Sequence, residues 1–124
     1  MTVKNKILLV EDSNMAEAII KPVLENTGYE IIVARDGEEG LNIFKERQQE
    51  IFVICTSRSM PIMNGIQMAR EIKNINKDIP IILYTTDYIK PESTGGLIDS
   101  RVDKTESYSD TTLINEIQKY TPKG

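Results

Sequence analysis

Three absences limit what this sequence can form. Among its 124 residues there is no histidine, no tryptophan and only one cysteine, Cys55. A single cysteine cannot form an internal disulfide, and this usage is typical of proteins from a reducing compartment. Because Cys55 lies within an apolar segment, we expect its thiol to pack in the core.

Long apolar segments are also absent. No segment approaches the roughly 20 apolar residues that span a bilayer, and the run Ile7 to Val10 before Glu11 is too short for a signal-peptide core. We therefore expect a cytoplasmic protein with no membrane partner. The formal net charge of −4 argues against a nucleic-acid partner, because nonspecific binding to phosphates relies on lysine and arginine.

The rest of the composition is that of a globular protein, with 40% hydrophobic and 27% charged residues. The length suffices for one hydrophobic core and is too short for two ordinary domains. We expect a single domain over residues 1–124.

Four short apolar runs without polar alternation predict parallel strands that are covered on both faces. These runs are Ile7 to Val10, Ile31 to Ala34, Ile51 to Cys55 and Ile79 to Tyr84. Helical patterns lie between them, and a weaker fifth strand is centred on Val102 after an irregular stretch. The alternation predicts an α/β fold, a doubly wound five-stranded parallel sheet flanked by helices on both faces.

The helix signals are mostly clear. Ser13 is the expected N-cap of the first helix, and Asp36 with Glu39 resembles a capping box at the second. Pro22 predicts a kink or a break in the first helix. Residues at helical spacing predict which face of each helix packs against the sheet. These are Met15, Ala18 and Ile19 in the first helix, Gly40, Leu41 and Phe44 in the second, Met68, Ile72 and Ile75 in the third, and Leu113, Ile117 and Tyr120 in the last.

Polar residues follow four of the predicted strands. They are Glu11 and Asp12 after the first strand, Ser57 after the third, Thr85 after the fourth and Lys104 after the fifth. Ligands of such sheets bind outside the carboxyl ends of the strands, so this set suggests a site. The two carboxylates are either ligands of a hard cation such as Mg²⁺ or solvated turn residues.

The motifs resemble those of bacterial response-regulator receiver domains. Ile7 to Ser13 is similar to their opening strand and acidic pair, and Met60 to Gly65 is similar to their Met-Pro-x-Met-x-Gly turn. Pro80 to Thr85 resembles their fourth strand, and Gly96 to Lys104 has the spacing of their Gly-to-Lys stretch. The resemblance covers nearly the whole chain, fades over residues 86–95, and implies a flavodoxin-like fold.

In receiver domains an aspartate three residues before the first Met of that turn accepts a phosphoryl group. Here Ser57 stands at that place, so the resemblance implies a degenerate phosphorylation site. It further implies that Glu11 and Asp12 form an acidic pocket that binds Mg²⁺ weakly at most, and that Thr85 and Lys104 are remnants of phosphoryl binding. A serine hydroxyl needs an activating base, which no histidine supplies here, so we expect no enzymatic activity.

Two departures from the family pattern concern the conformational switch that receivers undergo on phosphorylation. Arg101 stands where receivers usually carry an inward-swinging aromatic residue, and Thr105 stands where they carry a cis proline, so we expect a less firmly placed lysine loop. The stretch Tyr88 to Pro91 also resembles the end of the fifth strand. That alignment fails because it leaves only Thr86 and Asp87 for a parallel crossover, which needs about a dozen residues.

The leading hypothesis is a stand-alone pseudo-receiver that acts in two-component signal transduction through phosphorylation-independent protein–protein interaction. By resemblance, its contact surface is the face of the fourth helix, the fifth strand and the last helix, with Tyr108 and Tyr120. The partner is an unidentified signalling protein, and a weak homodimer is left open.

Two alternatives are left open. One is a receiver-like domain that a Ser/Thr kinase phosphorylates on Ser57 or Thr56. The other is a small flavin- or nucleotide-binding protein of flavodoxin-like architecture. The second is disfavoured, because the turn after the first strand begins with two acids that repel phosphate.

Overall fold

Five parallel strands form one sheet in the computed structural model, which describes residues 4–104 and 112–122. The strands are β1 Lys6–Val10, β2 Glu30–Ala34, β3 Ile51–Thr56, β4 Ile81–Thr85 and β5 Ser100–Asp103. Their order is β2-β1-β3-β4-β5. The predicted five-stranded parallel α/β fold is confirmed. None of the helices in the described residues has the length and apolar character needed to cross a membrane.

The strand register aligns the carboxyl ends of the strands at one edge of the sheet. Val10, the last residue of β1, pairs with Ala34 of β2 and with Thr56 of β3. At the other side of the sheet Thr85 of β4 pairs with Asp103 of β5. Residues that directly follow these strands therefore share this edge, the carboxyl edge of the sheet.

Helices cover both faces of the sheet. The α-helices are α1 Asn14–Glu25, α2 Gly37–Arg47, α3 Gly65–Ile75 and α4 Thr112–Gln118, and a short 3₁₀-helix spans Pro91–Thr94. One face of the sheet packs against α2 and α3, and the other packs against α1 and α4. The short 3₁₀-helix and the short strand β5 agree with the weak pattern of the sequence between β4 and Val102.

The predicted N-caps of α1 and α2 are both present. The Ser13 hydroxyl accepts a hydrogen bond from the Ala16 amide at 3.2 Å, and the Asp36 carboxylate accepts one from the Glu39 amide at 2.8 Å. A complete capping box forms at α3 instead, where Asn64 and Gln67 bond reciprocally through side chain and backbone. Each cap satisfies amides that the first helical turn leaves without an intrahelical partner.

The predicted inward face of α1 is wrong. Met15, Ala18 and Ile19 lie on the exposed side, whereas the core receives Ala16, Ile20 and Leu24. Both sets have helical spacing, but the second recurs every four residues to the end of the helix and buries a longer apolar stripe. Ile75 of α3 is similarly exposed at the last turn, while Met68 and Ile72 are buried.

Pro22 does not break α1. The helix is continuous from Asn14 to Glu25, although a proline removes one backbone donor and leaves the carbonyl of Ala18 without its helical partner. Ala18 and Pro22 both lie on the exposed side, where solvent can bind this carbonyl oxygen. The cost of the proline is therefore smaller than in a buried turn.

The predicted packing of Cys55 is confirmed. Its side chain is fully buried in the core, and burial raises the pKa of the thiol. A thiol that stays protonated in apolar surroundings is a weak nucleophile. Cys55 is therefore a packing residue.

Gly65 brings the start of α3 against the end of β3. A Cβ atom on Gly65 would lie 2.2 Å from the Ser57 carbonyl oxygen and 3.1 Å from the Thr56 hydroxyl oxygen. The Gly65 amide also donates to the Arg58 carbonyl at 2.8 Å. Only glycine permits this approach, which positions the segment after β3.

We expect Gly65→Ala to lower the free energy of unfolding by at least about 2 kcal/mol, because backbone must move to accept the methyl group. Chemical denaturation measures this loss. Gly28→Ala is the control, since Gly28 has a φ of 86° but open space around it, and only about 1 kcal/mol of backbone strain is expected there. Equal losses in the two variants would contradict the steric role of Gly65.

Candidate functional site at the carboxyl edge

The carboxyl edge brings together most of the residues that the sequence suggests. The Ser57 amide donates to the Val10 carbonyl at 3.1 Å, which places Ser57 beside the end of β1. The Lys104 ammonium lies 5.8 Å from the centroid of the Tyr84 ring, and Tyr84 in turn contacts Glu11. Thr105 and Tyr108 lie outside the described residues.

Glu11 is not a solvated turn residue. Its side chain is fully buried, one carboxylate oxygen accepts a hydrogen bond from the Tyr84 hydroxyl at 2.7 Å, and the other accepts one from the Ser13 amide at 3.1 Å. Asp12 beside it is exposed, as a solvated turn residue would be. The two neighbouring carboxylates therefore have different roles.

Tyr84 is the residue of this site that sequence reasoning missed. It is fully buried near the end of β4, among aliphatic neighbours, and its hydroxyl reaches across to the end of β1. A tyrosine in an otherwise aliphatic strand is a signal, because a buried phenol needs a hydrogen-bond partner. The sequence shows the need for a partner, whereas the sheet order identifies it as Glu11.

Ser57 is buried and its hydroxyl is unsatisfied. The residue is 2% exposed, and its hydroxyl oxygen has no hydrogen-bond partner among the described residues. The preceding Thr56 is fully buried, and its hydroxyl donates to the Ser57 carbonyl at 2.8 Å. Neither hydroxyl lies at the protein surface.

The oxygen-bearing side chains at this edge differ in how far they are engaged by the protein. Both carboxylate oxygens of Glu11 accept protein hydrogen bonds, Asp12 is exposed, and Ser57 contributes a neutral hydroxyl. In the part of the chain that the structure describes, no three acidic, cysteine or histidine side chains come together as a metal would require. Mg²⁺ prefers carboxylates with water and substrate oxygens, and of the two neighbouring carboxylates that of Asp12 is the exposed one.

Thr85 belongs to a polar cluster with Asp87 and Arg58. The Thr85 hydroxyl accepts from the Asp87 amide at 3.1 Å and donates to the Asp87 carboxylate at 3.3 Å. Arg58 donates to the same carboxylate oxygen at 2.9 Å. The hydrogen bond from Arg58 is the main cause that lowers the pKa of Asp87 below its usual value.

Arg101 binds the backbone that follows β4. Its Nε donates to the Asp87 carbonyl at 2.7 Å and its Nη2 donates to the Thr85 carbonyl at 3.0 Å. The guanidinium lies 5.7 Å from the centroid of the Tyr88 ring, and its Nη2 atom lies 3.8 Å from a carboxylate oxygen of Asp103. The Arg101 side chain is only 18% exposed, and its charge is paired with that of Asp103.

An open groove of about 720 Å³ lies beside this cluster. The segment Tyr88 to Glu92, β5 and the end of the chain's last helix line it. Tyr88 is fully exposed at its rim, and the Tyr120 hydroxyl bonds to Ser100 in its wall. Arg101 also lines the groove, so the polar cluster and the groove are continuous.

Comparison with known proteins identifies the family. A profile of the response regulator receiver domain matches residues 7–103. The chemotaxis protein CheY1 of Helicobacter pylori strain J99 is 34% identical over 91 residues, which cover 70% of this chain and 72% of that protein. The chain belongs to the response regulator receiver domain family. Receivers of this family act in two-component signalling.

Solved receivers share the whole fold. The response regulator TrrA of Thermotoga maritima, in complex with Mg²⁺ and beryllofluoride, has a TM-score of 0.83 and 29% identity over 98% of this chain and 100% of that one. A receiver domain of a Pseudomonas aeruginosa sensor histidine kinase, with magnesium in its active-site cleft, has a TM-score of 0.81. At 21% identity the second match shows the common fold alone.

In other curated relatives, the region that matches this chain is a small part of a longer protein. The probable transcriptional regulator ycf27 of Guillardia theta is 33% identical over 82 residues, which cover 66% of this chain but 31% of that protein. The match thus spans about a third of that relative.

The bond between Tyr84 and Glu11 predicts a stability effect. We expect Tyr84→Phe to lower the free energy of unfolding by about 1–3 kcal/mol, because a buried carboxyl group loses a donor. Thermal or urea unfolding measures the change. Tyr88→Phe is the matched control on a fully exposed ring, with an expected change within about 0.5 kcal/mol. A Tyr84→Phe protein as stable as the control would show that the bond contributes nothing.

Proposed function

We propose that this receiver acts through protein–protein contacts without forming an acyl phosphate. The observation that carries the proposal is Ser57, which follows β3 three residues before the Met60-Pro61 pair. Family resemblance puts the phosphoacceptor aspartate at this place. A serine hydroxyl cannot form an acyl phosphate, and the sequence contains no histidine to activate it.

The surroundings of Ser57 support the proposal. In an acidic pocket that held Mg²⁺, Glu11 would have to exchange its bond to Tyr84 for a metal ion, and Asp12 would provide the second carboxylate alone. Such a pair binds Mg²⁺ weakly at most. In the same way, the hydroxyl of Thr85 is engaged by Asp87, although by resemblance it is a remnant of phosphoryl binding together with Lys104.

Burial argues against the alternative of a phosphorylated hydroxyl. Thr56 is 0% exposed and Ser57 is 2% exposed, so a Ser/Thr kinase could reach either hydroxyl only after the end of β3 had opened. The family match is to receivers, so a flavin- or nucleotide-binding function finds no support. The proposed function is that of a non-catalytic domain, and the proposed location is the cytoplasm.

The groove beside β5 is the proposed contact surface. Tyr88 is fully exposed at the rim, and Tyr120 lies in the wall. Tyrosine and arginine are enriched among the residues that dominate binding energy at protein interfaces, and Arg101 lies directly against Tyr88. The proposed partner is another signalling protein, and a second copy of the chain would use the same surface only weakly.

The absence of an acceptor is tested with a small acyl phosphate and Mg²⁺. We expect no added phosphoryl group by intact mass, and no shift in the amide resonances of Thr85 and Lys104, because no carboxylate stands at Ser57. In the folded Ser57→Asp protein, which restores a third acid beside Glu11 and Asp12, we expect slow phosphorylation. A phosphoryl group on the unaltered protein would overturn the proposal.

The contact surface is tested by affinity capture from the native host. We expect Tyr88→Ser to reduce capture of a specific partner at least tenfold, the usual effect of removing an aromatic interface anchor. Met15→Ser is the matched control, because Met15 is 76% exposed on α1, on another part of the surface. A partner that binds both variants as tightly as the unaltered protein does not use this groove.

A further inference from the structure

The segment Thr85 to Tyr88, at the end of β4, is held by its own hydrogen bonds and by contacts from two other parts of the chain, the loop after β3 and β5. We propose that Asp87 is a built-in anion for the Thr85 hydroxyl, and that Arg58 and Arg101 lock this segment in one conformation. The lock would present Tyr88 in a constant position at the groove. This inference rests on the proposed function for its purpose, but the lock itself is a property of the isolated chain.

The first part of the lock is internal to the segment. The Thr85 hydroxyl both accepts from the Asp87 amide and donates to the Asp87 carboxylate. A hydroxyl has one hydrogen to donate, and this hydrogen is used. An anion that approached Thr85 from solvent would have to displace the Asp87 carboxylate, which is already bound.

The second part comes from the loop after β3. Arg58 directly follows Ser57 and donates to the Asp87 carboxylate at 2.9 Å. The loop that begins at Ser57 and the loop that follows β4 are thereby joined through a charged pair. The carboxylate of Asp87 is balanced by a positive charge from outside its own segment.

The third part comes from β5. The guanidinium group is planar and permanently charged, and it presents its donors in a rigid fork. Arg101 uses two of these donors on the carbonyls of Thr85 and Asp87, and its guanidinium carbon lies 5.7 Å from the Tyr88 ring centroid. Cations within about 6 Å of an aromatic centroid attract the ring. One side chain thus holds both the backbone and the exposed ring.

The consequence is a segment whose conformation does not depend on a ligand. A ligand shifts a conformational equilibrium only by its different affinity for the two states. Here the Asp87 carboxylate already accepts hydrogen bonds from the Thr85 hydroxyl and from Arg58, so that an external anion gains little by binding to these groups. The surface around Tyr88 is therefore constant, as a partner that binds without phosphorylation requires.

Hydrogen exchange of the full chain tests the lock. The Asp87 amide bonds to the Thr85 hydroxyl and the Ile89 amide bonds to the Asp87 carbonyl at 3.0 Å, so both report on this segment. We expect Arg101→Gln to accelerate exchange at these two amides roughly tenfold or more, because charge-assisted hydrogen bonds are lost. Asp87→Ala, at an exposed position, is expected to accelerate exchange at Ile89 by a similar factor.

Arg35→Gln is the matched control. Arg35 directly follows β2, the outer strand on the side of the sheet away from β5, and it bonds to Asn14 at 2.8 Å and pairs with Glu17 of α1. We expect this variant to leave exchange at Asp87 and Ile89 unchanged. If Arg101→Gln is poorly folded, Asp87→Ala decides the question alone, since its side chain is not part of the core.

Exchange at Asp87 and Ile89 that stays as slow in Arg101→Gln and Asp87→Ala as in Arg35→Gln would overturn the lock. That result would leave the proposed function intact, because exchange is measured without a partner. Conversely, a partner that ignores Tyr88 would overturn the proposed contact surface and leave accelerated exchange as support for the lock. The two failures are therefore distinguishable.

Discussion

The buried carboxyl group of Glu11 constrains the whole carboxyl edge. A carboxyl group without water is costly unless hydrogen bonds replace its hydration. The Ser13 amide and the Tyr84 hydroxyl replace it here, and these two contacts tie the end of β1 to the start of α1 and to β4. Lys104 then lies against the same Tyr84 ring, so that three strands and a helix meet around one buried group.

The polar groups after β4 follow the same principle at the surface. Thr85, Asp87 and Arg101 bind one another and the local backbone, and Arg58 connects them to the loop after β3. Groups that are satisfied within the chain gain less from a ligand. Under the proposed function, such a site supports a contact surface while the receiver keeps the framework of its family.

The comparison with a solved receiver shows that the fold persists through extensive change of sequence. TrrA is 29% identical to this chain, yet the two backbones align over 98% of this chain and 100% of TrrA. The core depends on the apolar character of the strands and on glycine at close approaches such as Gly65. The chemistry depends on a few polar side chains at one edge, and these can change without disturbing the core.

Local patterns in the sequence determined the strands, their parallel arrangement, the caps at Ser13 and Asp36, and the set of polar residues at the carboxyl edge. Periodicity could not choose between the two apolar stripes of α1, because both have helical spacing and only contact with the sheet decides which one is buried. Nor could it pair Tyr84 with Glu11 or Asp87 with Arg58. The order of the strands decides which side chains become neighbours, and a hydrogen bond forms only where donor and acceptor meet in three dimensions.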